Sequence, residues 1–191
     1  MKQTQEEPGL VLAKTLFAFK REQELTYEFI STPLGQMLAL FSRQGLCWLQ
    51  FWQGEGVAKI QALASSFAIS LLPQATTEGI RLTRELEQYF ARKREEFTIA
   101  LDLVGTPWQL KVWASLQAIP YGQTISYLQQ AQDLQQRQAV RAIAQANSKN
   151  PIAILIPCHR VIRNNGELGG YYGGVERKKW LLALEQRERQ E

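Results

Sequence analysis

The pattern of apolar residues changes character at Gly105-Thr106-Pro107, and this break constrains the fold of the 191-residue chain more than any other feature. A glycine and a proline so close together interrupt helix and sheet alike. Before the break, runs rich in β-branched and aromatic residues predict strands at Thr26-Tyr27-Glu28-Phe29-Ile30, at Met37 to Phe41 and at Leu46 to Trp52. Turns are expected around Pro33-Leu34-Gly35 and Arg43-Gln44-Gly45. Helical spacing marks Val57 to Phe67 and Gly79 to Arg94, the second with Leu82, Leu86, Tyr89 and Phe90 on one face, and Phe97 to Leu103 alternates as a further strand. After the break the signals are helical: Gln109 to Ala118, stopped by Pro120-Tyr121-Gly122, then a helix capped by Thr124 and reaching about Leu134, then one from about Arg137 to Ser148, and a last one from Glu176 to Gln186. The chain therefore divides into a mixed α/β part, residues 1–104, and a mainly helical part, residues 105–191, with the poorly patterned residues 1–20 expected to be partly disordered. Two short helices on a tight connection suggest a helix-turn-helix whose second helix is offered to DNA. That helix carries Ala139, Ala142, Ala144 and Ala146, and spacing alone leaves open whether this small-sided surface meets DNA or the protein core.

The chemistry concentrates at Leu155-Ile156-Pro157-Cys158-His159-Arg160-Val161-Ile162, where the only histidine stands beside one of only two cysteines. A thiol becomes a strong nucleophile as a thiolate, and an imidazole, an arginine or a helix N-terminus lowers its pKa. The competing reading is a buried core cysteine at the end of the apolar strand 152–156. Two polar residues following at once, with Pro157 ending the strand, favour a reaction centre. Cys47 lies in an apolar run and reads as core.

Composition narrows the class. Two cysteines and no apolar leader core point to a reduced, cytoplasmic setting, and no run reaches membrane-spanning length. One histidine and two cysteines do not make a four-ligand zinc site, so no metal is expected. Of the net charge of +4, the basic excess is all C-terminal. Lys111, Arg137, Arg141, Lys149, Arg160 and Arg163 stand against Asp133 alone in residues 107–166, a bias suited to neutralising phosphates.

From the Cys158 motif outward the chain resembles the O6-alkylguanine-DNA alkyltransferases, also called methylated-DNA–protein-cysteine methyltransferases. The resemblance runs through Gly105-Thr106-Pro107-Trp108-Gln109, Val112-Trp113, Ile119-Pro120-Tyr121-Gly122-Gln123-Thr124-Ile125-Ser126-Tyr127, Ala139-Val140-Arg141-Ala142, Asn147, Asn150-Pro151, the Pro157 to Val161 motif, and Gly169-Gly170-Tyr171 into Gly173-Gly174. Ser31 to Gly35 and Leu86 to Phe90 carry it more weakly in the N-terminal part.

This resemblance implies an α+β protein: a ribonuclease-H-like α/β N-terminal domain, then a mainly helical, winged-helix-like C-terminal domain with a helix-turn-helix. It implies direct-reversal repair of double-stranded DNA by a monomer without cofactor, in which a flipped O6-alkylguanine, or O4-alkylthymine, gives its alkyl group irreversibly to Cys158. His159 would be the general base, acting through a water because neighbours in an extended segment point to opposite sides. Glu185 would orient and charge the imidazole, and Asn150 would brace the reactive turn. Arg141 would replace the flipped base and Tyr127 would help rotate the phosphate. Val161, Gly169, Tyr171, Tyr172 and Gly173 would line the pocket. Taken from the residues alone, Arg141 and Glu185 read as solvated helix positions and Tyr127 as packing. Tyr172 stands where the family usually has serine or alanine, and Ala144 where glycine is common, so slow reaction with bulky O6-benzyl groups is expected. The rival functions are a lesion sensor without transfer, a helix-turn-helix regulator, and a cysteine hydrolase, the last lacking a second histidine.

Overall fold

A computed structural model describes residues 24–52, 61, 62 and 64–186, together with Leu16. The fold is α+β and divides into two compact units, Met1–Ala91 with Phe97–Val104, and Arg92–Glu96 with Gly105–Glu191.

The first unit is built on β1 (Glu24–Thr32), β2 (Gly35–Phe41), β3 (Leu46–Phe51) and β4 (Ser70–Pro73), in the sheet order β3-β2-β1-β4. The hairpins β1–β2 and β2–β3 are antiparallel, as short turns require, whereas β4 joins β1 in parallel through Glu24↔Ser70 to Tyr27↔Pro73. The sequence pattern did not reveal β4, because four residues hold too little alternation to read. Helix α1 (Thr77–Phe90) packs Leu82, Leu86 and Tyr89 into the core with Leu25, Met37, Leu38, Leu40 and Leu49. Its start is fixed from β1, where Glu28 Oε1 accepts from Thr76 N (2.7 Å) and Thr76 Oγ1 (3.1 Å). A Cβ on Gly79 would lie 1.9 Å from that carboxylate, so the approach requires glycine. Residues 97–103 form no full strand. Leu46 bonds Ala100 O and Asp102 N (2.9 Å each), giving a single parallel bridge at Leu101, and Glu85 instead takes the Thr98 N–H and hydroxyl. Of the helix expected over Val57 to Phe67, residues 61, 62, 64 and 65 are helical and the others fall outside the described residues or in a turn. Of residues 1–20, Leu16 is described, helical and buried, and the rest of the expectation for that segment lies outside the described residues.

The second unit holds α2 (Pro107–Gln117), β5 (Ile125–Ser126), α3 (Tyr127–Asp133), α4 (Val140–Ser148), a 3₁₀ turn (Cys158–Arg160), β6 (Val161–Ile162) and α5 (Val175–Gln186). Thr106 and Gln109 form a reciprocal capping box at α2 with Pro107 in the first turn. Ser126, not Thr124, caps α3 through Gln129 N at 3.0 Å. Helix α4 starts at Val140, because Arg137 lies in a turn closed by Ala139 N to Gln136 O at 2.8 Å. Val112, Ala131, Leu134, Ile143 and Ala146 form the core of this helical group, with Trp108, Tyr127 and Val140 against it. The small-sided α4 is thereby resolved: Ile143, Ala146 and Asn147 face inward, while Arg141, Ala142 and Gln145 are exposed. Its inward face is tied by polar bonds as well, Trp113 Nε1 to Ala146 O (2.9 Å) and Asn147 Nδ2 to Gln130 Oε1 (2.8 Å). Among the described residues no helix is long and apolar enough to cross a membrane.

Candidate active site

The segment between α4 and the nucleophile is not the strand expected over residues 152–156. It is a chain of turns with an isolated bridge at Ile152, and Ile154 takes φ 71°, a left-handed conformation rare for a β-branched residue. Apolar composition specified its burial but not its conformation. What overrides strand propensity is Asn150, buried just past α4. Its amide donates to Ile156 O (2.7 Å) and Cys158 Sγ (3.3 Å), while its Oδ1 accepts from Ile152 N (3.0 Å). One side chain thus closes the loop and presents the thiol.

Cys158 opens a 3₁₀ turn, so Cys158 and His159 are not neighbours in an extended segment as expected. Cys158 is partly exposed, and His159 is fully buried. Desolvation pushes the Cys158 thiol up, against the Asn150 hydrogen bond, the Lys178 charge and a backbone N–H that lower it. The thiol is therefore the form held before reaction, and the proton must be taken by a base.

His159 Nε2 lies 3.0 Å from Glu185 Oε1, while Nδ1 is buried with no hydrogen-bond partner among the described residues. Burial holds the imidazole below its usual range despite Glu185, helped by the charges of Arg160 and Lys178. Glu185 holds the ring at Nε2 and acts to raise the imidazole, against the larger effect of burial. Arg160, counted in the sequence as a cation for DNA, is buried here and adds its charge to the larger effect of burial: Nε and Nη2 grip Glu185 Oε2 and Oε1 at 2.9 and 3.0 Å, and Nη1 donates to Ile119 O at 2.6 Å. Gly122 N adds a 3.2 Å bond to Glu185 Oε2. Burial would raise the Glu185 carboxyl, but His159 and Arg160 together bring it down to about 2.

Lys178, absent from the sequence reading, is fully buried in α5. Its Nζ donates to Val161 O (2.6 Å) and Gly170 O (3.5 Å), and desolvation lowers it to about 8 although the nearby Cys158 acts to raise it. A signal existed: Lys178, Leu181, Leu182 and Glu185 follow i, i+3, i+4, i+7 on one buried helix face, which separates Lys178 from Lys179.

Tyr127 begins α3 beside the glycine-rich loop, and its phenol is pushed up by burial and by Cys158. Gly169 takes φ 70°, with its Cβ position 3.5 Å from Tyr127. Val161 is buried in β6 beside Ile125, and Tyr171 is buried with its ring edge-on to His159 at 6.4 Å. Tyr172 is half-buried, and Gly173 O accepts from Arg177 Nη1 at 2.8 Å. Of these, Tyr127 and Tyr171 lie near enough to Cys158 for its charge to bear on their phenols. Arg141 stands apart on the exposed face of α4, and Arg163 is engaged by Glu167 at 2.5 Å. Among the described residues no three of His, Cys, Asp and Glu cluster as metal ligands.

Comparison with known proteins bears on both units. Residues 25–103 match the ribonuclease-like domain, and residues 107–187 the DNA-binding domain, of 6-O-methylguanine DNA methyltransferase. A methylated-DNA–protein-cysteine methyltransferase of Methanosarcina barkeri is 38% identical over 164 residues, 84% of this chain and 96% of the relative. That of Mycolicibacterium paratuberculosis is 52% identical over 103 residues, 54% of this chain and 62% of the relative. The crystal structure of Mycobacterium tuberculosis OGT in complex with DNA superposes with a TM-score of 0.72 at 36% identity, covering 85% of this chain and 92% of that one. With both units matched, and one relative aligned over nearly its whole length, the chain belongs to the 6-O-methylguanine DNA methyltransferase family.

Proposed function

We propose that this protein repairs DNA by direct reversal, as a methylated-DNA–protein-cysteine S-methyltransferase that takes the alkyl group of O6-alkylguanine onto Cys158 in a single turnover. The observation that carries this reading is the assembly on one turn of a thiol held by Asn150 and an imidazole held by Glu185. In the step, the Cys158 proton passes to His159 Nδ1 through one water. The sulfur electron pair then forms the S–C bond to the alkyl carbon as the C–O6 bond breaks. Guanine leaves with that bond's electrons and takes up a proton. The displacement balances with thiol and alkylguanine alone, so the reading includes no cofactor or metal.

DNA is the macromolecular partner. Support for a flipped-base geometry comes from the division of α4, whose inner face is locked to α2 and α3 while Arg141 stands outward. In this reading Arg141 fills the vacated stack, Tyr127 acts at the adjoining phosphate, and Val161, Gly169, Tyr171, Tyr172 and Gly173 line the base pocket. Residues 105–191 carry binding and transfer, and residues 1–104 form the accompanying α/β domain. Action as a cytoplasmic monomer, with O4-alkylthymine as a second substrate, belongs to the same proposal.

The test is intact-protein mass spectrometry after mixing with a duplex carrying one O6-methylguanine. A gain of one methyl group, mapped to Cys158 and absent in Cys158→Ala, is expected. Unchanged mass with lesion-selective binding would make the protein a sensor and overturn the transfer.

A further inference from the structure

The cation inside the site has no part in the reaction as written above, yet it occupies the carboxylate that the base depends on. Hydrogen bonds converge on Glu185 from Arg160 Nε and Nη2 in a fork, from Gly122 N and from His159 Nε2. An ionised carboxylate only accepts, so the hydrogen between Glu185 and His159 belongs to Nε2. That leaves Nδ1, buried and without a partner among the described residues, as the lone pair that can take a proton.

A buried carboxylate alone beside a histidine favours the imidazolium, which is no base. Here the carboxylate is already matched by a guanidinium on both of its oxygens, with the planar fork that suits bidentate pairing. Among the described residues, the other groups beside the ring are Lys178 from α5, Cys158 from the same turn and Tyr171 from the glycine-rich loop, and none of these supplies a second negative charge while the thiol is protonated. Nη1 also anchors the guanidinium to Ile119 O, and the cation lies 5.7 Å from the Tyr121 ring centroid, so its place does not depend on Glu185 alone.

We propose that Arg160 is a positioning residue that, by neutralising Glu185, holds His159 as the neutral Nε2–H tautomer and so creates the base that deprotonates Cys158. The inference deepens the alkyl-transfer reading and rests on it for its purpose. Its geometric claim is tested without DNA.

Because the chain has a single histidine, one set of imidazole ¹⁵N signals reports the site. At pH 7 the parent is expected to show a neutral ring protonated at Nε2. In Arg160→Gln the imidazolium is expected at a pH where the parent is neutral, with alkyl transfer at pH 7 slowed by about tenfold or more and partly regained as the pH is raised through the new titration. Arg160→Lys, which keeps the charge, is expected to restore the neutral ring. A parent ring protonated at Nδ1, or charged at pH 7, overturns the proposal without any variant. So does a folded Arg160→Gln that titrates like the parent, or an Arg160→Lys ring charged like that of Arg160→Gln. The two failures are distinguishable: a neutral Nε2–H ring in a protein that never methylates Cys158 sinks the transferase reading, whereas methylation by a protein whose ring is charged at pH 7 sinks the Arg160 inference alone.

Discussion

Asn150 and Lys178 act on the same sulfur by different physics. Asn150 donates a hydrogen bond to Sγ, and such bonds to a charged acceptor contribute about 1.5–3 kcal/mol. Asn150→Ala is therefore expected to slow methyl transfer by roughly ten- to a hundredfold, measured as the second-order rate on a lesion duplex. Lys178 supplies charge across the buried loop and loses its own proton near pH 8. The parent's pH–rate profile is expected to bend downward above about 8, and that of Lys178→Met to be slower at pH 7 and free of this bend. A profile unchanged by the substitution would remove Lys178 from the electrostatics of the thiol. Tyr172, half-buried in the glycine-rich loop, is expected to narrow the pocket lip. Tyr172→Ser should then speed inactivation by free O6-benzylguanine. An unaltered rate would dissociate Tyr172 from substrate size.

At the level of elements, the helices were legible from their apolar periodicity, and their caps were not: Ser126, not Thr124, caps α3. The apolar period of α1 announces its buried face, whereas α2, expected from Gln109, begins at Pro107 because Thr106 and Gln109 cap it reciprocally. The strand expected over residues 152–156 was not formed, because a five-residue apolar run is compatible with any buried conformation, and Asn150 imposes turns on it. The helix-turn-helix itself is held by buried amides: Gln130 Nε2 donates to Ser115 Oγ (3.0 Å), and Asn147 Nδ2 to Gln130 Oε1 (2.8 Å). Gln130→Leu leaves the Asn147 amide without that acceptor in a closed interior, at a cost of about 1–3 kcal/mol. The corresponding fall in thermal midpoint should be smaller in the double variant Gln130→Leu with Asn147→Leu, where neither amide is stranded.

For the whole molecule, the same buried charges predict acid lability. His159 titrates below its ordinary 6.5 when folded, so its contribution to stability is fully present above that value and is lost as pH falls below it. Glu185 falls from an ordinary 4.5 to about 2, and its contribution, present above 4.5, is lost as pH drops toward 2. Thermal unfolding followed from pH 8 to pH 3 is expected to show stability declining from about pH 6.5 downward. Glu185→Gln should flatten the part of the decline below 4.5. A parent curve that is level across this range would mean that the Arg160–Glu185–His159 cluster does not govern the stability of its unit.

The sequence by itself determined the hairpins of the first unit and the helical pattern of the second, because turns and periodic burial are local and are written within a few residues. It also carried Glu185 and Asn150, but only through a family likeness, since a lone carboxylate near a helix end looks solvated until the chain is folded. Tertiary structure decided the charge state of the site. Arg160 counts in the sequence among the cations for phosphates and Lys178 sits in the basic run Arg177 to Lys179, yet folding buries both. Whether a cation meets DNA or a carboxylate depends on what lies opposite it, and Glu185 is 25 residues away along the chain.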